Sequence, residues 1–195
     1  MLVTESRAQL RARLRAVRKA LSAPQQQQAG AAIARQLFQL TEVANARMVA
    51  AYLANDGEPS LGPTISQAWQ EKIQITLPVL HPFTGKHLLF LQYHQHSVMT
   101  TNRFNIAEPV LSCPAVVPLG NHDVILMPLV GFDAAGNRLG MGGGFYDRTL
   151  AALPDKHRPA LIGIAHTCQQ VDNLPVQNWD IPCDVIVTPH TCIRP

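Results

Sequence analysis

The chain has 195 residues, 47% of them hydrophobic and 15% charged, which predicts one folded domain over residues 1–195 with a sizeable core. No apolar run reaches the roughly 20 residues of a membrane span, and no signal-peptide region follows the start, so we expect a cytoplasmic protein. The net charge is +3, but residues 1–20 alone carry +5 and the remainder carries −2. This distribution argues against a basic nucleic-acid-binding protein.

An arginine-rich helix is predicted at the beginning of the chain. Its apolar stripe, spaced by three and four residues, consists of Leu10, Leu14, Val17 and Leu21. Arg7, Arg11 and Arg18 lie within about 40° of one another beside that stripe. Such a helix can dock on the body and direct guanidinium groups at a neighbouring site, although the spacing alone favours a solvated basic face.

The following segments alternate between helical and strand patterns. Ser22 and Pro24 are typical of a helix start, and the predicted helices cover residues 23–40, the region around 65–70, and about 145–153. Short apolar runs predict strands at residues 48–53, 73–77, 88–93, 124–127, 160–165 and 185–188.

This alternation predicts an α/β fold with a largely parallel central sheet flanked by helices. Ligands of such sheets bind beyond the carboxyl ends of the strands. Residues 55–58, residues 128–147 and the loop after Ala165 all follow predicted strands, so we expect them to converge on one cleft.

Neither the cysteines nor the histidines predict a metal centre. Cys113, Cys168, Cys183 and Cys192 include no CxxC pair, so we expect neither structural zinc nor disulfides, only buried or incidental thiols. The eight histidines have no metal-ligand spacing, and no Ser/His/Asp arrangement can be derived from the sequence.

The most informative segment is Asn137–Arg148, where four of the 12 glycines lie between Gly140 and Gly144. Glycine lets a backbone approach a ligand closely and direct N–H groups at an anion. Arg138 and Arg148 can offset phosphate charge, and Asp147 can hold magnesium. The run matches neither the Walker A motif nor GxGxxG in its usual context. It therefore indicates a less common phosphate site, with a flexible loop as the alternative.

Other candidate residues each have a structural alternative. Asp180 could be a second magnesium carboxylate or a turn residue. Glu58 could bind amino groups of a heterocycle or be a solvated loop residue. Phe145 and Tyr146 could stack on a planar ligand, while core packing is the expected role of at least one of them.

A long motif surrounds the glycine run: Pro128-Leu129-Val130, Phe132-Asp133, Gly136, Arg138-Leu139-Gly140, Gly142-Gly143-Gly144 and Tyr146-Asp147-Arg148. Further segments occur in matching order, namely Ala20-Leu21-Ser22, Tyr52-Leu53, Asp56-Gly57-Glu58, Leu174-Pro175-Val176 and Trp179-Asp180. Together they closely resemble the 5-formyltetrahydrofolate cyclo-ligase family, also called 5,10-methenyltetrahydrofolate synthetase, over nearly the whole chain.

The resemblance implies an enzyme that converts 5-formyltetrahydrofolate and ATP to 5,10-methenyltetrahydrofolate, ADP and phosphate, with magnesium. A phosphorylated formyl intermediate fits this chemistry, because an amide oxygen is a poor leaving group. The expected partners are small-molecule substrates only, without nucleic acid or membrane, and we expect a monomer.

The resemblance also implies roles for individual residues. Arg7 and Arg11 are implied to contact the ATP phosphates, and Asp147 and Asp180 to hold magnesium. The implied nucleotide cradle consists of Arg138, Leu139, Gly140, Met141, Gly142, Gly143, Gly144, Phe145 and Tyr146, of which Arg138 and Tyr146 are the catalytic residues. The implied folate contacts are Leu53, Glu58, Met141, Gly142, Gly143, Gly144 and Phe145.

One departure from the family pattern concerns charge. Met141 and Gly143 stand where some members carry a basic residue, so the positive charge has to come from Arg138 and the N-terminal arginines, with backbone N–H groups.

Two other functions stay open from the sequence. A nucleotide-binding regulatory module without turnover would keep the glycine cradle and would not need the folate contacts. An RNA-binding protein could use the basic helix, but the charge of −2 outside residues 1–20 and the absence of an aromatic-rich RNA-binding motif oppose this function.

Overall fold

The computed structural model describes residues 5–153 and 158–195. Its helices are α1 (Arg7–Lys19), α2 (Ala23–Leu37), α3 (Thr41–Ala44), α4 (Gly62–Gln70) and α5 (Phe145–Leu150), with short 3-10 turns at Cys113–Ala115, Leu119–Asn121 and Thr167–Gln169. The strands that build the main sheet are β1 (Met48–Ala50), β2 (Gln74–Leu80), β3 (Leu88–Tyr93), β6 (Val116–Val117), β7 (Val124–Pro128), β10 (Ala160–Ile164), β11 (Val185–Val187) and β12 (Cys192–Ile193). Two separate hairpins are formed by β4 (Met99–Thr101) with β5 (Ala107–Pro109) and by β8 (Gly131–Phe132) with β9 (Arg138–Leu139).

The main sheet has eight strands in the order β12-β11-β10-β7-β1-β2-β3-β6. The five strands from β11 to β2 run parallel to one another, while β12 at one end and β3 and β6 at the other pair antiparallel. The predicted α/β class with a mostly parallel sheet is therefore confirmed, with antiparallel strands added at both edges.

The central strand β7 shows why the sheet is buried on both sides. Successive side chains of a strand point to opposite faces. Val124 and Leu126 accordingly pack in one apolar cluster with helices α2 and α4, whereas Ile125 and Met127 pack in a second cluster on the other face. A continuous apolar run is the expected pattern of such a strand.

The ends of several elements differ from the predictions. Strand β1 ends at Ala50, and the next N–H, that of Ala51, still donates to the Thr76 carbonyl of β2. Beyond Ala51 the chain leaves the sheet, and the Tyr52 hydroxyl donates to the Pro59 carbonyl. Helix α2 ends at Leu37 and α5 at Leu150, so both are shorter than predicted.

The β8–β9 hairpin was not predicted from the sequence. Its turn is held by Asp133, whose carboxylate accepts the N–H groups of Ala135 and Asn137. Gly136 has a φ of +78°, and a Cβ there would lie 2.8 Å from the Cys183 carbonyl oxygen and collide with Pro195. The turn therefore requires glycine, and it places Arg138 at the start of the returning strand.

Two further observations concern the sequence expectations. Within residues 5–153 and 158–195, no helix is long and apolar enough to cross a membrane. The four cysteines are free thiols, of which Cys183 is buried and Cys113 and Cys192 are exposed.

Candidate functional site

A cavity of about 540 Å³ lies beyond the carboxyl ends of β1 and β7, where the sequence predicts the ligand cleft. The predicted site residues that line it are Leu53, Glu58, Arg138, Gly140, Met141, Gly143, Gly144, Phe145, Tyr146 and Asp147. The predicted site residues outside its lining are Arg7, Arg11, Leu139, Gly142 and Asp180. The glycine loop and the segment after β1 thus share one cavity.

The glycine loop is held against helix α1. Arg11 Nε donates to the Gly140 carbonyl oxygen over 2.8 Å, and a Cβ on Gly142 would lie 3.6 Å from the Arg11 guanidinium carbon. Gly142 and Gly144 have φ values of +98° and +62°, which side-chain-bearing residues rarely adopt. The two glycines therefore give the loop a path that brings its backbone close to an arginine.

Leu139 contributes to this arrangement by packing against helix α1. Its side chain is buried in an apolar cluster with Leu10, Leu14 and Val130. Its carbonyl accepts the Val130 N–H over 2.7 Å. Leu139 therefore fixes α1 and the hairpin to each other, and its side chain does not face the cavity.

Helix α1 does not present a solvated basic face, so that expectation is wrong. Arg18 is completely buried, and its guanidinium donates to the carbonyl oxygens of Asp56 and Leu129, each over 2.9 Å. Arg7 is half-buried and donates to Asp180 and to the Pro175 carbonyl. Leu10, Leu14 and Arg18 are the buried residues of the helix, so the arginine continues their four-residue spacing.

Asp56 anchors the helix to the segment after β1. Its carboxylate forms ion pairs with Arg15 at 2.7 Å, Arg18 at 3.0 Å and Lys19 at 3.1 Å. The hydrogen bond from Arg15 is the largest of the effects that hold the pKa of Asp56 well below its ordinary value. The basic helix is thus fixed beside the cavity by an ionised aspartate.

Glu58 faces the cavity from the same segment. Its side chain is only 10% exposed, which excludes the solvated loop residue that the sequence left open. Oε2 accepts the Asn55 N–H over 3.0 Å, and Oε1 lies 3.7 Å from Arg18 Nη2. Burial raises the pKa of Glu58 to about 7, against the lowering effects of the Asn55 N–H and of Arg18. The group therefore titrates near neutral pH inside the cavity.

Tyr146 and Phe145 combine packing with cavity lining. Tyr146 packs against the second apolar cluster, and its hydroxyl is buried without a hydrogen-bond partner in the described part of the chain. Burial, and then the neighbouring Glu58 charge, raises the pKa of the Tyr146 phenol. A protonated hydroxyl that lacks a partner can donate to a ligand in the cavity. Phe145 meets Phe104 edge to face, with ring centroids 5.8 Å apart.

The two predicted magnesium carboxylates are each paired with an arginine. Asp147 Oδ1 accepts from Arg138 Nη2 at 2.5 Å and from the Ile181 N–H at 3.3 Å. Asp180 pairs with Arg7 and accepts the Gln177 N–H over 2.9 Å, so it also has the turn role left open by the sequence. Arg138 Nε donates to the Ile181 carbonyl over 2.9 Å. Arg138 therefore contacts both Asp147 and Ile181, the residue that follows Asp180.

These carboxylates fit magnesium only together with a phosphate ligand. Across residues 5–153 and 158–195, no group of three or more His, Cys, Asp and Glu side chains could hold a metal ion. Magnesium usually takes one or two carboxylates, with phosphate oxygens and waters completing its shell. Asp147 lines the cavity, whereas Asp180 lies outside its lining, so of the two carboxylates Asp147 is the one placed to meet an ion that is bound there with a nucleotide.

The β4–β5 hairpin supplies a wall of the cavity that sequence reasoning missed. Its lining residues are Asn102, Phe104, Ile106, Ala107 and Glu108. Glu108 is buried and accepts from the Asn102 side chain over 2.8 Å. The signal in the sequence is the turn-forming Asn102 and Asn105, the latter with a φ of +59°.

Comparisons with known proteins show the family of the chain. The model of the 5-formyltetrahydrofolate cyclo-ligase family matches residues 3–189. The chain belongs to this family. A 5-formyltetrahydrofolate cyclo-ligase of Haemophilus influenzae is 44% identical over 185 residues, covering 94% of this chain and 98% of that protein. The cyclo-ligase of Escherichia coli strain K12 is 46% identical over 176 residues, covering 90% of this chain and 96% of that protein.

A solved structure gives the same fold. The 5,10-methenyltetrahydrofolate synthetase of Aquifex aeolicus superposes with a TM-score of 0.82 at 30% identity, covering 96% of this chain and 92% of that one. The predictions of the family, of the fold class and of a cyclo-ligase enzyme are therefore confirmed. The roles of individual site residues in this cyclo-ligase stay predictions.

Proposed function

We propose that the protein converts 5-formyltetrahydrofolate to 5,10-methenyltetrahydrofolate in a reaction that requires ATP and magnesium and releases ADP and phosphate. One observation carries the proposal: a single cavity joins the glycine loop to the Glu58 carboxylate. The glycine loop suits the phosphates of a nucleotide, and the Glu58 carboxylate suits the heterocycle of a folate. A shared cavity allows the two substrates to react with each other. The names of the relatives support the same reaction.

Two arginines are proposed to bind the ATP phosphates. Arg138 is nearly buried beside the cavity, and its Nη1 makes no hydrogen bond within residues 5–153 and 158–195. Arg11 uses Nε to hold Gly140, so its terminal nitrogens lie beside the glycine loop. Preorganised cations of this kind stabilise the charge that develops during phosphoryl transfer. They also supply the positive charge that Met141 and Gly143 cannot.

Asp147 and Asp180 are proposed to hold magnesium together with the nucleotide phosphates. Bound there, the ion would neutralise phosphate charge and orient the terminal phosphoryl group. Arg138 and Arg7 pair with these carboxylates. Each arginine therefore neutralises one of the proposed magnesium carboxylates.

The folate is proposed to bind along the wall that carries Leu53 and Glu58. An ionised Glu58 accepts hydrogen bonds from amino and ring N–H groups of the pterin, while Leu53 offers apolar contact. The buried Tyr146 hydroxyl is available as a donor to an oxygen atom of the substrate. We assign the formyl oxygen to this donor, which makes Tyr146 a catalytic residue in the proposal.

The chemistry follows from the proximity of the two substrates. The formyl oxygen attacks the γ-phosphorus of ATP and displaces ADP, which gives a phosphorylated imidate-like intermediate. The neighbouring folate nitrogen then attacks the activated carbon and loses its proton to phosphate or solvent. The C–O bond breaks, and phosphate leaves with the former formyl oxygen as the ring closes. The protein positions both substrates and stabilises charge, and no protein nucleophile takes part.

The other functions considered from the sequence receive less support. A regulatory module without turnover needs no cavity joining the loop to Glu58. An RNA-binding helix needs exposed cations, whereas Arg18 is buried and Arg7 and Arg15 are paired with aspartates. We propose a monomeric, single-domain enzyme of the cytoplasm, and the four free thiols support a reducing compartment.

Absorbance of 5,10-methenyltetrahydrofolate tests this proposal. The folded protein is mixed with 5-formyltetrahydrofolate, ATP and magnesium, and parallel reactions omit ATP or contain a chelator. We expect product only in the complete mixture, with ADP formed in equal amount. Absence of product from protein whose melting curve shows a cooperative transition would contradict the proposal, as would product formed at the same rate without ATP.

A further inference from the structure

Met141 places a thioether sulfur in the wall of the cavity. It stands between Gly140 and Gly142 in the glycine loop, and it lines the same cavity as Glu58. The residue is 50% exposed, so a small molecule that enters the cavity can reach it. None of the chemical steps proposed above uses the sulfur.

The other methionines of the described residues are less accessible. Met48 on β1 and Met99 on β4 are partly buried, and Met127 on β7 is completely buried. An oxidant has to reach the sulfur of a methionine before it can add oxygen to it. Exposure therefore favours Met141 over these three residues.

The Met141 sulfur also meets a buried cation. Arg18 Nη2 lies 3.8 Å from Sδ, and the same nitrogen donates to Asp56 Oδ2 over 3.0 Å and lies 3.7 Å from Glu58 Oε1. A thioether is only a weak hydrogen-bond acceptor. Because Nη2 carries two hydrogens, a stronger acceptor on Met141 competes with the two carboxylates for them.

We infer that Met141 is a site of reversible oxidation to the sulfoxide by a hydroperoxide, and that this oxidation weakens folate binding. A lone pair of the sulfur forms a bond to one peroxide oxygen, the O–O bond breaks, and the other oxygen leaves as hydroxide. With hydrogen peroxide, the hydroxide takes up the proton of the transferred OH group, which gives the sulfoxide and water. Sulfur loses two electrons and the peroxide gains them.

The reverse step needs a reductant. A methionine sulfoxide reductase returns the sulfur to the thioether with two electrons and two protons from a pair of thiols, which become a disulfide, and the oxygen leaves as water. The oxidation is therefore reversible by an enzyme and by thiols together.

The sulfoxide replaces an apolar part of the cavity wall with a polar oxygen acceptor. Arg18 Nη2 is placed to donate to this oxygen, because it already lies near the sulfur. Donation to the sulfoxide weakens the contacts of Nη2 with Asp56 and with Glu58, the residue on the proposed folate wall. The effect on folate rests on the proposed function, whereas the oxidation itself does not.

Peptide mapping tests where the oxygen is added. The protein is treated with increasing hydrogen peroxide, the excess is removed with catalase, and dithiothreitol then reduces oxidised thiols, because Cys113 and Cys192 are exposed. We expect the tryptic peptide Leu139–Arg148 to gain one oxygen, assigned to Met141 by fragmentation, at a lower peroxide concentration than the peptides with the other described methionines. Oxidation of Met48 or Met99 at the same concentration overturns the inference.

Steady-state rates test the consequence of the oxidation. After the same treatment, the KM for 5-formyltetrahydrofolate should be about three- to tenfold higher, as for the loss of one hydrogen bond in the site, with a smaller change in the KM for ATP. Methionine sulfoxide reductase with dithiothreitol should restore the original value. An unchanged KM for folate after complete oxidation of Met141 overturns the inference. Recovery with dithiothreitol alone also overturns it, because the loss would then belong to a cysteine.

Two leucine variants separate Met141 from other oxidisable groups. Leucine is close to methionine in volume and has no sulfur. Each variant is compared with itself before and after peroxide, so the rate of the untreated variant does not affect the result. Met141→Leu should keep its KM for folate on treatment, whereas Met48→Leu, at the start of β1, should show the rise of the unmodified protein. A rise in Met141→Leu, or its absence in Met48→Leu, overturns the inference.

The inference and the proposed function can fail separately. Turnover by the untreated, unmodified protein tests the function alone. If there is no turnover, equilibrium binding of 5-formyltetrahydrofolate before and after oxidation decides the inference. Equal affinity, or no binding in either state, overturns it, and an affinity that falls on oxidation and returns with the reductase supports it.

Discussion

Arg138 Nη2 donates to Asp147 Oδ1 over 2.5 Å, so the cation proposed to meet the nucleotide phosphates holds the carboxylate proposed to meet magnesium. Both groups are nearly shielded from water, with side-chain exposures of 4% and 17%. The pair keeps two charges satisfied and oriented, and in the proposed function phosphate would replace the partner of Arg138 and metal the partner of Asp147. An ion pair of this kind serves preorganisation more than net stability.

The Asp147→Asn variant is expected to lose most of its activity. The amide oxygen can still accept from Arg138, so the fold should persist, but a neutral ligand holds magnesium poorly. We expect kcat to fall about 100-fold or more. The measurement is the rate of methenyl product formation across a magnesium titration. The exposed Asp172→Asn serves as control, and a rate near that of the unmodified protein in Asp147→Asn would remove the metal role.

Arg11→Ala is expected to weaken ATP binding. The side chain holds Gly140 and lies beside Gly142, so its loss removes a cation and loosens the glycine loop. We predict a KM for ATP raised about tenfold, as for the loss of one charge-assisted hydrogen bond, with a smaller change in the KM for folate.

Helix α1 offers a matched control for this variant. Arg13 is exposed and pairs with Glu5 away from the cavity. Arg13→Ala should therefore leave both KM values unchanged. If Arg11→Ala shows the same ATP dependence as Arg13→Ala, the contact with Gly140 has no part in nucleotide binding.

Glu58 should make folate binding depend on pH. Burial raises its pKa to about 7, so the carboxyl is mainly neutral below that pH and mainly ionised above it. Only the ionised form can accept two pterin N–H groups. The KM for 5-formyltetrahydrofolate should therefore fall as the pH rises through about 7, and Glu58→Gln should abolish this step. A step retained in Glu58→Gln, or removed equally by the exposed Glu71→Gln, would assign it to another group.

Arg18 should be a large contributor to stability. It is fully buried, and it bonds to Asp56 and to the Leu129 carbonyl, so its replacement leaves buried acceptors without a donor. We predict that Arg18→Met lowers the free energy of unfolding by about 3 kcal/mol or more. Urea unfolding measures the change, and Arg13→Met should cost less than about 1 kcal/mol. Equal values for the two variants would contradict the buried role.

The parts of the fold that the sequence predicts well are those governed by local patterns. Strands β7 and β10 are continuous apolar runs because both of their faces are covered, and the motif around Gly140–Gly144 identifies the family. Neither conclusion depends on contacts between distant segments.

The parts that were missed depend on such contacts. Arg18 resembles a surface residue until Leu129 and Asp56, 111 and 38 positions away, supply its acceptors. The β4–β5 hairpin mixes polar residues such as Asn102 with apolar ones, and its place in the cavity wall follows from packing against β2. Sequence periodicity does not contain that information.

The path of the formyl oxygen tests the central claim most directly. 5-Formyltetrahydrofolate labelled with ¹⁸O in the formyl group is incubated with the protein, ATP and magnesium, and the released phosphate is analysed by mass spectrometry. If ATP activates the folate inside one cavity, the label is found in the phosphate, one atom for each product formed. Unlabelled phosphate, with the label recovered in water, would contradict the account.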